Sequence, residues 1–158
     1  MNIEVFEDDM TRHDIPNIPP REGARAIFLV EDKVCLIHVK AYDLYTLPGG
    51  GIEPDETKEV ALVREIKEET GYKVKSYKHT MTLKEYFKDS IWFHHFFFVT
   101  VDKSAEAVQL TKEESALGHS VVFKPIDEVL ELLQNHQGNH PHAANIHQRE
   151  FLGLIHSL

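Results

Sequence analysis

Two apolar runs, residues 24–30 and 33–39, carry Ala, Ile, Phe, Leu and Val almost without interruption and are separated by Glu31-Asp32. A short polar break between two such runs predicts two strands joined as a hairpin. The cluster Thr46-Leu47-Pro48-Gly49-Gly50-Gly51 follows; so many glycines predict a turn or a ligand loop. Over residues 55–70 the spacing of apolar positions becomes helical, with Asp55 or Thr57 able to cap the start and Gly71 placed to end it. Residues 72–84 alternate, and residues 91–101 are rich in aromatics; both predict strands. Residues 102–120 show no period and predict a long loop, and Val121-Val122-Phe123 predicts a short strand. After Pro125, residues 126–133 are amphipathic and predict a helix. Gly138 and Pro141 interrupt, and residues 143–158 can form a last helix. Residues 1–22, punctuated by Pro16, Pro19 and Pro20, read as an arm or first edge segment, and residues 23–158 as one domain without repeats.

The chain has 158 residues, 42% hydrophobic and 27% charged, enough to enclose a core and too apolar for wholesale disorder. No apolar run approaches the roughly 20 residues that a membrane-spanning helix needs. The acidic start lacks the basic head of a secretory signal, and the lone Cys35 cannot form an internal disulfide, so a cytoplasmic location is expected. With 17 Lys+Arg against 26 Asp+Glu, the net charge of −9 disfavours polymeric nucleic acid as a partner. A small phosphorylated ligand remains open, provided cations bridge it to carboxylates.

That proviso meets the helix at residues 55–70. At about 100° per residue, Leu62, Val63 and Ile66 fall on one stripe and Glu65, Glu68 and Glu69 on the adjoining one. Like charges at these spacings repel by a few tenths of a kcal/mol per pair, and Lys67 points elsewhere. A solvated acidic face is the simplest account; a bound divalent cation is the alternative, since carboxylate oxygens suit Mg²⁺ or Mn²⁺.

The residues around the helix decide between them. From Gly50 the chain reads Gly50, five residues, Glu56, seven residues, then Arg64-Glu65-Ile66-Lys67-Glu68-Glu69-Thr70-Gly71-Tyr72. This resembles the signature of the Nudix (MutT-like) hydrolases at Gly50, Glu56, Arg64, Glu65, Ile66, Glu68, Glu69 and Gly71, with Tyr72 replacing a bulky aliphatic. The resemblance implies an α/β fold, an α/β/α sandwich around a central mixed sheet with the box as loop-helix-loop. It further implies hydrolysis of a nucleoside diphosphate linked to another moiety, with Mg²⁺ or Mn²⁺ held by Glu65, Glu68 and Glu69. Arg64 and Glu56 would pair to brace the helix, Gly50 would turn the backbone into the box, and Gly71 would end the helix.

Some family members use a glutamate outside the box, which makes Glu114, beside Glu113 in the expected loop, the candidate fourth ligand or base. Tyr86, Phe87 and Trp92 are candidates for stacking on a base, with Tyr86 and Trp92 the substrate-binding pair to test. His94 and His95 should point to opposite faces of their strand, one toward a cleft. His136, His140, His142, His147 and His156 fit no zinc spacing and read as a solvated, pH-sensitive surface; Cys35 reads as a buried hydrophobe. Nucleoside triphosphates, nucleotide sugars and dinucleoside polyphosphates stay open as substrates. A homodimer is compatible with the family, and a Nudix-fold sensor that binds without turnover is the alternative function.

Overall fold

A computed structural model describes residues 1–158. The strands are β1 (Asn2–Phe6), β2 (Arg21–Ile27), β3 (Leu29–Val30), β4 (Lys33–Val39), β5 (Leu44–Thr46), β6 (Gly49–Gly51), β7 (Tyr72–Tyr86), β8 (Ile91–Ala105) and β9 (His119–Pro125). The helices are α1 (Lys58–Thr70), α2 (Lys112–Leu117), α3 (Ile126–Asn135) and α4 (Ala143–Ile155). A five-stranded mixed sheet has the order β1-β7-β8-β2-β6, with β1 and β2 parallel to their neighbours β7 and β8 and the other pairs antiparallel. In the second sheet β4 is central, paired with β9 along one edge and with β3 and β5 along the other.

The run at residues 24–30 is not one strand of a simple hairpin. It breaks at Phe28, whose side chain is fully buried and whose carbonyl accepts from Cys35 N–H. The residues before Phe28 join the five-stranded sheet and those after it join the second sheet. The predicted turn survives at β3–β4, where Glu31 and Asp32 both take positive φ, 51° and 63°, as a two-residue type I′ turn requires. Residues 2–6 of the N-terminal arm form an edge strand on β7.

Two cores lie on opposite faces of the five-stranded sheet. On one face Ala24, Ala26, Phe97 and Val99 pack with Leu62 and Ile66 of α1 and with Cys35. On the other, Ile27, Leu83 and Phe96 meet Val129 and Leu133 of α3 and Leu154 of α4. The sheet is thus sandwiched between helices. No helix is long and apolar enough to cross a membrane.

α1 begins where Thr57 Oγ1 accepts from Val60 N–H and ends at Gly71, with φ 77°, as its sequence predicts. Its buried stripe is narrower than expected: Leu62 and Ile66 are buried, but Val63 is exposed. Tyr72, the departure from the box, sets its ring edge-on against Phe28 and Phe123. An aromatic therefore suits this corner. Within the expected loop at 102–120, β8 runs on to Ala105 and α2 forms. Thr111 and Glu114 cap each other's backbone, and Gly118 ends that short helix in the left-handed region.

α4 seats a glycine on the sheet: a Cβ added at Gly153 would lie 2.1–2.6 Å from three atoms of the Phe96 ring. Gly153→Ala is expected to destabilise the protein by about 1–3 kcal/mol from overpacking, less up to about 1 kcal/mol regained in helix propensity. Urea unfolding measures it; a stabilised variant would mean that α4 does not sit this close to Phe96.

Candidate active site

The three carboxylates predicted to share a face of α1 do so at the glycine edge of the sheet. β6 is the edge strand, paired only with β2, and Gly50 lies opposite Ala24 on the α1 side. A Cβ at Gly50 would stand 2.6 Å from Glu65 Cδ and Oε1, so only glycine lets this carboxylate lie against the strand. Arg64 organises the cluster. Its Nε donates to Glu56 Oε2 at 2.6 Å and Nη2 to Glu56 Oε1 at 2.8 Å, a bidentate fork. Its Nη1 donates to Glu65 Oε1 at 2.9 Å and Glu68 Oε2 at 3.3 Å, and Nη2 also reaches the Gly51 carbonyl at 3.2 Å. Arg64 is therefore the partner within the helix for its clustered charge, the role that Lys67 cannot fill.

The electrostatics divide the glutamates. The hydrogen bonds from Arg64 hold the Glu56 carboxyl down at about 2. Burial raises Glu65, against the hydrogen bond from Arg64. Glu69 is 6% exposed, and burial followed by the nearby charge of Glu65 holds its carboxyl well above the usual range, with Arg25 opposing and Glu114 adding to the rise. Glu114 thus lies within electrostatic reach of Glu65 and Glu69, although its Oε1 is occupied in the α2 cap.

No three His, Cys, Asp or Glu side chains stand together at coordinating distance. The donor set nonetheless fits a hard divalent cation. Glu65 and Glu69 are carboxylates desolvated by burial, and Glu69 also feels the charge of Glu65. Glu65, Glu68 and Glu69 are the residues that would hold it.

Sequence reading missed a buried polar layer on the opposite face. Arg25, flanked by Ala24 and Ala26, turns toward α4; its Nη1 donates to the Leu47 carbonyl at 3.2 Å and its Nε lies 3.5 Å from Glu150 Oε1. Glu150 is fully buried and also paired with Arg149. Beside them Glu85 Oε1 accepts from His94 Nε2 at 2.8 Å. Burial, then Arg149 and Arg25, hold His94 well below its usual range, so the ring is neutral. A charged residue inside the apolar run at 24–30 was the one visible signal of this layer.

The remaining candidates separate cleanly. His94 and His95 do face opposite ways: His95 bonds Thr82 and Glu22 on the α1 side. Trp92 and Phe87 line a cavity beside His94, whereas Tyr86 is nearly buried and stacked on Phe6, 5.1 Å between ring centres. The C-terminal histidines are not uniformly a solvated surface. His147 is 2% exposed, its Nδ1 donating to the His136 carbonyl and its Nε2 accepting from Tyr45 N–H; burial lowers its pKa. His136 and His38 each contact the Asp43 carboxylate. Cys35 is buried, and burial pushes its thiol up.

A mixed sheet between helices, with a loop-helix-loop presenting three glutamates at its glycine edge, defines the class of protein. The chain belongs to the Nudix family: the model of the NUDIX domain matches residues 19–146. It is 41% identical over 59 residues to the putative 8-oxo-dGTP diphosphatase YtkD of Bacillus subtilis, a match covering 37% of each chain. It is 31% identical over 111 residues to mouse diphosphoinositol polyphosphate phosphohydrolase 3-alpha, covering 70% of this chain and 65% of that one. The chain thus spans less than two thirds of either relative. Among solved structures, a NUDIX hydrolase from Nitrosomonas europaea superposes with TM-score 0.64 at 19% identity, covering 88% of this chain and 93% of that one. A MutT protein from Bacillus halodurans superposes with TM-score 0.57 at 28% identity, over 71% and 72%.

Proposed function

We propose that this chain is a Mg²⁺- or Mn²⁺-dependent pyrophosphohydrolase that cleaves a phosphoanhydride bond in a nucleoside diphosphate linked to a further group, with nucleoside triphosphates the favoured substrates. The observation that carries the reading is the convergence of Glu65, Glu68 and Glu69 at the bare edge strand β6, with Arg64 clamped between them and Glu56. The divalent cation supplies a more acidic water and neutralises charge building on the phosphate oxygens. Glu65, Glu68 and Glu69, which share one rigid helix, would hold it. Water adds to phosphorus as the anhydride P–O bond breaks, and its proton passes to a carboxylate of this group, with Glu114 the candidate from outside the helix. Gly50 leaves room for Glu65, and Glu56 orients Arg64 through the bidentate fork. Residues 23–158 act as one cytoplasmic domain, with the first 22 residues adding edge strand β1.

The names of two relatives support the nucleotide reading in different degrees, one an 8-oxo-dGTP diphosphatase and one acting on a diphosphoinositol polyphosphate. The experiment is a phosphate and pyrophosphate release screen over nucleoside triphosphates, nucleotide sugars, dinucleoside polyphosphates and a diphosphoinositol polyphosphate. Release with Mg²⁺ that disappears with chelator is expected for nucleoside triphosphates. Saturable nucleotide binding with no release across the whole panel would instead make the chain a sensor.

A further inference from the structure

Arg25 is a charged side chain set among apolar neighbours. Ala24 and Ala26 on either side of it are fully buried, and Ile27 and Phe97 nearby belong to the two cores. Its Nε is sealed from solvent and makes no hydrogen bond, and the carboxylate that faces it, Glu150, is fully buried with Oε2 equally unbonded. A buried ion pair with unused polar atoms adds little net stability, and apolar residues of the same volume often serve a core as well or better. Stability alone therefore does not account for this pair.

What Arg25 grips is the segment that leads into β6. Its Nη1 donates to the Leu47 carbonyl at 3.2 Å, the Ala26 N–H donates to the Pro48 carbonyl at 2.8 Å, and Arg25 itself lies in register with Gly49. Three successive residues are thus fixed to β2, and the ring of Pro48 stiffens the backbone between them. The same segment receives the carboxylates on its other side. Gly50 has Glu65 packed where a Cβ would stand, 2.6 Å from Cδ, and the Gly49 N–H stabilises the charged form of Glu69. Glu150 sets the far end. Its Oε1 lies 3.5 Å from Arg25 Nε and also accepts from Arg149, at 3.1 Å from Nε and again from Nη2. One line of contacts therefore runs from α4 through Glu150, Arg25 and residues 47–50 to Glu65 and Glu69 of α1, passing around the sheet at its edge strand.

We propose that Arg25 and Glu150 are positioning residues for the metal ligands: Glu150 aims Arg25, and Arg25 fixes the Leu47–Gly50 segment against which Glu65 and Glu69 are set. The inference rests on the metal-binding part of the hydrolase reading. Charge and position predict different outcomes at residue 25. Lysine keeps the positive charge, but a point donor cannot reach the Leu47 carbonyl and Glu150 at once as the planar fork does. Charge alone thus predicts that Arg25→Lys leaves the affinity for a divalent cation unchanged, and positioning predicts a loss.

The test titrates Mn²⁺ alone into the full chain, followed by electron paramagnetic resonance, and compares the unaltered chain with Arg25→Lys, Glu150→Gln and the double variant. Binding that disappears in Glu68→Gln counts as the site. Each single variant is expected to weaken that binding about tenfold, as when groups that orient metal ligands are removed. The double variant should lose no more than either single one, because both changes act through the same segment. An affinity in Arg25→Lys within about twofold of the unaltered chain would overturn the proposal. Losses that multiply in the double variant would overturn the route from Glu150 through Arg25. Where a variant fails to fold, the Arg25 Nε–H signal of the unaltered chain is read by NMR and should exchange slowly with solvent. Exchange as fast as that of the exposed Arg12 would mean that Arg25 grips nothing, and the proposal falls. Absence of site-specific Mn²⁺ binding in the unaltered chain would instead remove the metal reading itself, so the two failures are told apart.

Discussion

Glu68→Gln is expected to lower turnover of the best nucleotide substrate about 10²–10³-fold, equivalent to about 3–4 kcal/mol of transition-state stabilisation. The expectation follows from where Glu68 stands. Its side chain is 36% exposed and its only protein partner is Arg64 Nη1 at 3.3 Å, so it contributes little to the packing of α1. The amide keeps the shape and removes the charge that a divalent cation needs. Melting temperature should therefore stay within about 2 °C, while the Mg²⁺ concentration for half-maximal rate rises. Chelator should reduce the unaltered chain to the level of the variant. Activity within a few-fold of the unaltered chain, at the same Mg²⁺ dependence, would remove Glu68 from the metal site and with it the present assignment of the helix.

Arg64→Ala should damage stability and activity together, the opposite pattern. Arg64 ties Glu56, Glu65, Glu68 and the Gly51 carbonyl into one network, and its loss strands several charges at once. Activity should fall about 10–100-fold, as when groups that orient metal ligands are removed. Melting temperature should fall by roughly 3–6 °C. Lysine should not rescue it, because a point charge cannot make the bidentate fork to Glu56.

The pH dependence gives an independent check. Arg64 lowers the Glu56 carboxyl to about 2 in the folded chain, below its ordinary value of 4.5. A depressed folded pKa stabilises the fold fully above the unfolded value, and that contribution disappears as pH falls through the folded one. The stability difference between the unaltered chain and Arg64→Ala should thus be widest above pH 4.5 and narrow toward pH 2. A difference that stays constant across that window would mean that the Arg64–Glu56 fork contributes nothing to stability.

Much of the site was legible because the box is local. Thr57, Arg64, the three glutamates and Gly71 belong to one helix and its caps, and helical periodicity fixes their faces without reference to the rest of the chain. The capping box at Thr111 and Glu114 was equally local, yet the polar composition of residues 102–120 masked it. Hydrophobicity also misjudged Val63, which periodicity placed on the buried stripe but which the edge of α1 leaves exposed.

What sequence could not reach was any property set by long-range pairing. The run at residues 24–30 looks uniform, and only the competing partners β8 and β4 divide it at Phe28. Arg25, Glu85, His94 and Glu150 come from two strands of one hairpin, a third strand parallel to the second of these, and a distant helix. No spacing along the chain announces that they meet. By itself, then, the sequence determined the family box, the acidic face of α1 and the strands and helices that surround it, since these depend on neighbours a few residues away. The tertiary structure alone decided which carboxylates became desolvated and where the Trp92 cavity opened. Burial and register are properties of strands brought side by side, and no neighbour a few residues away decides them.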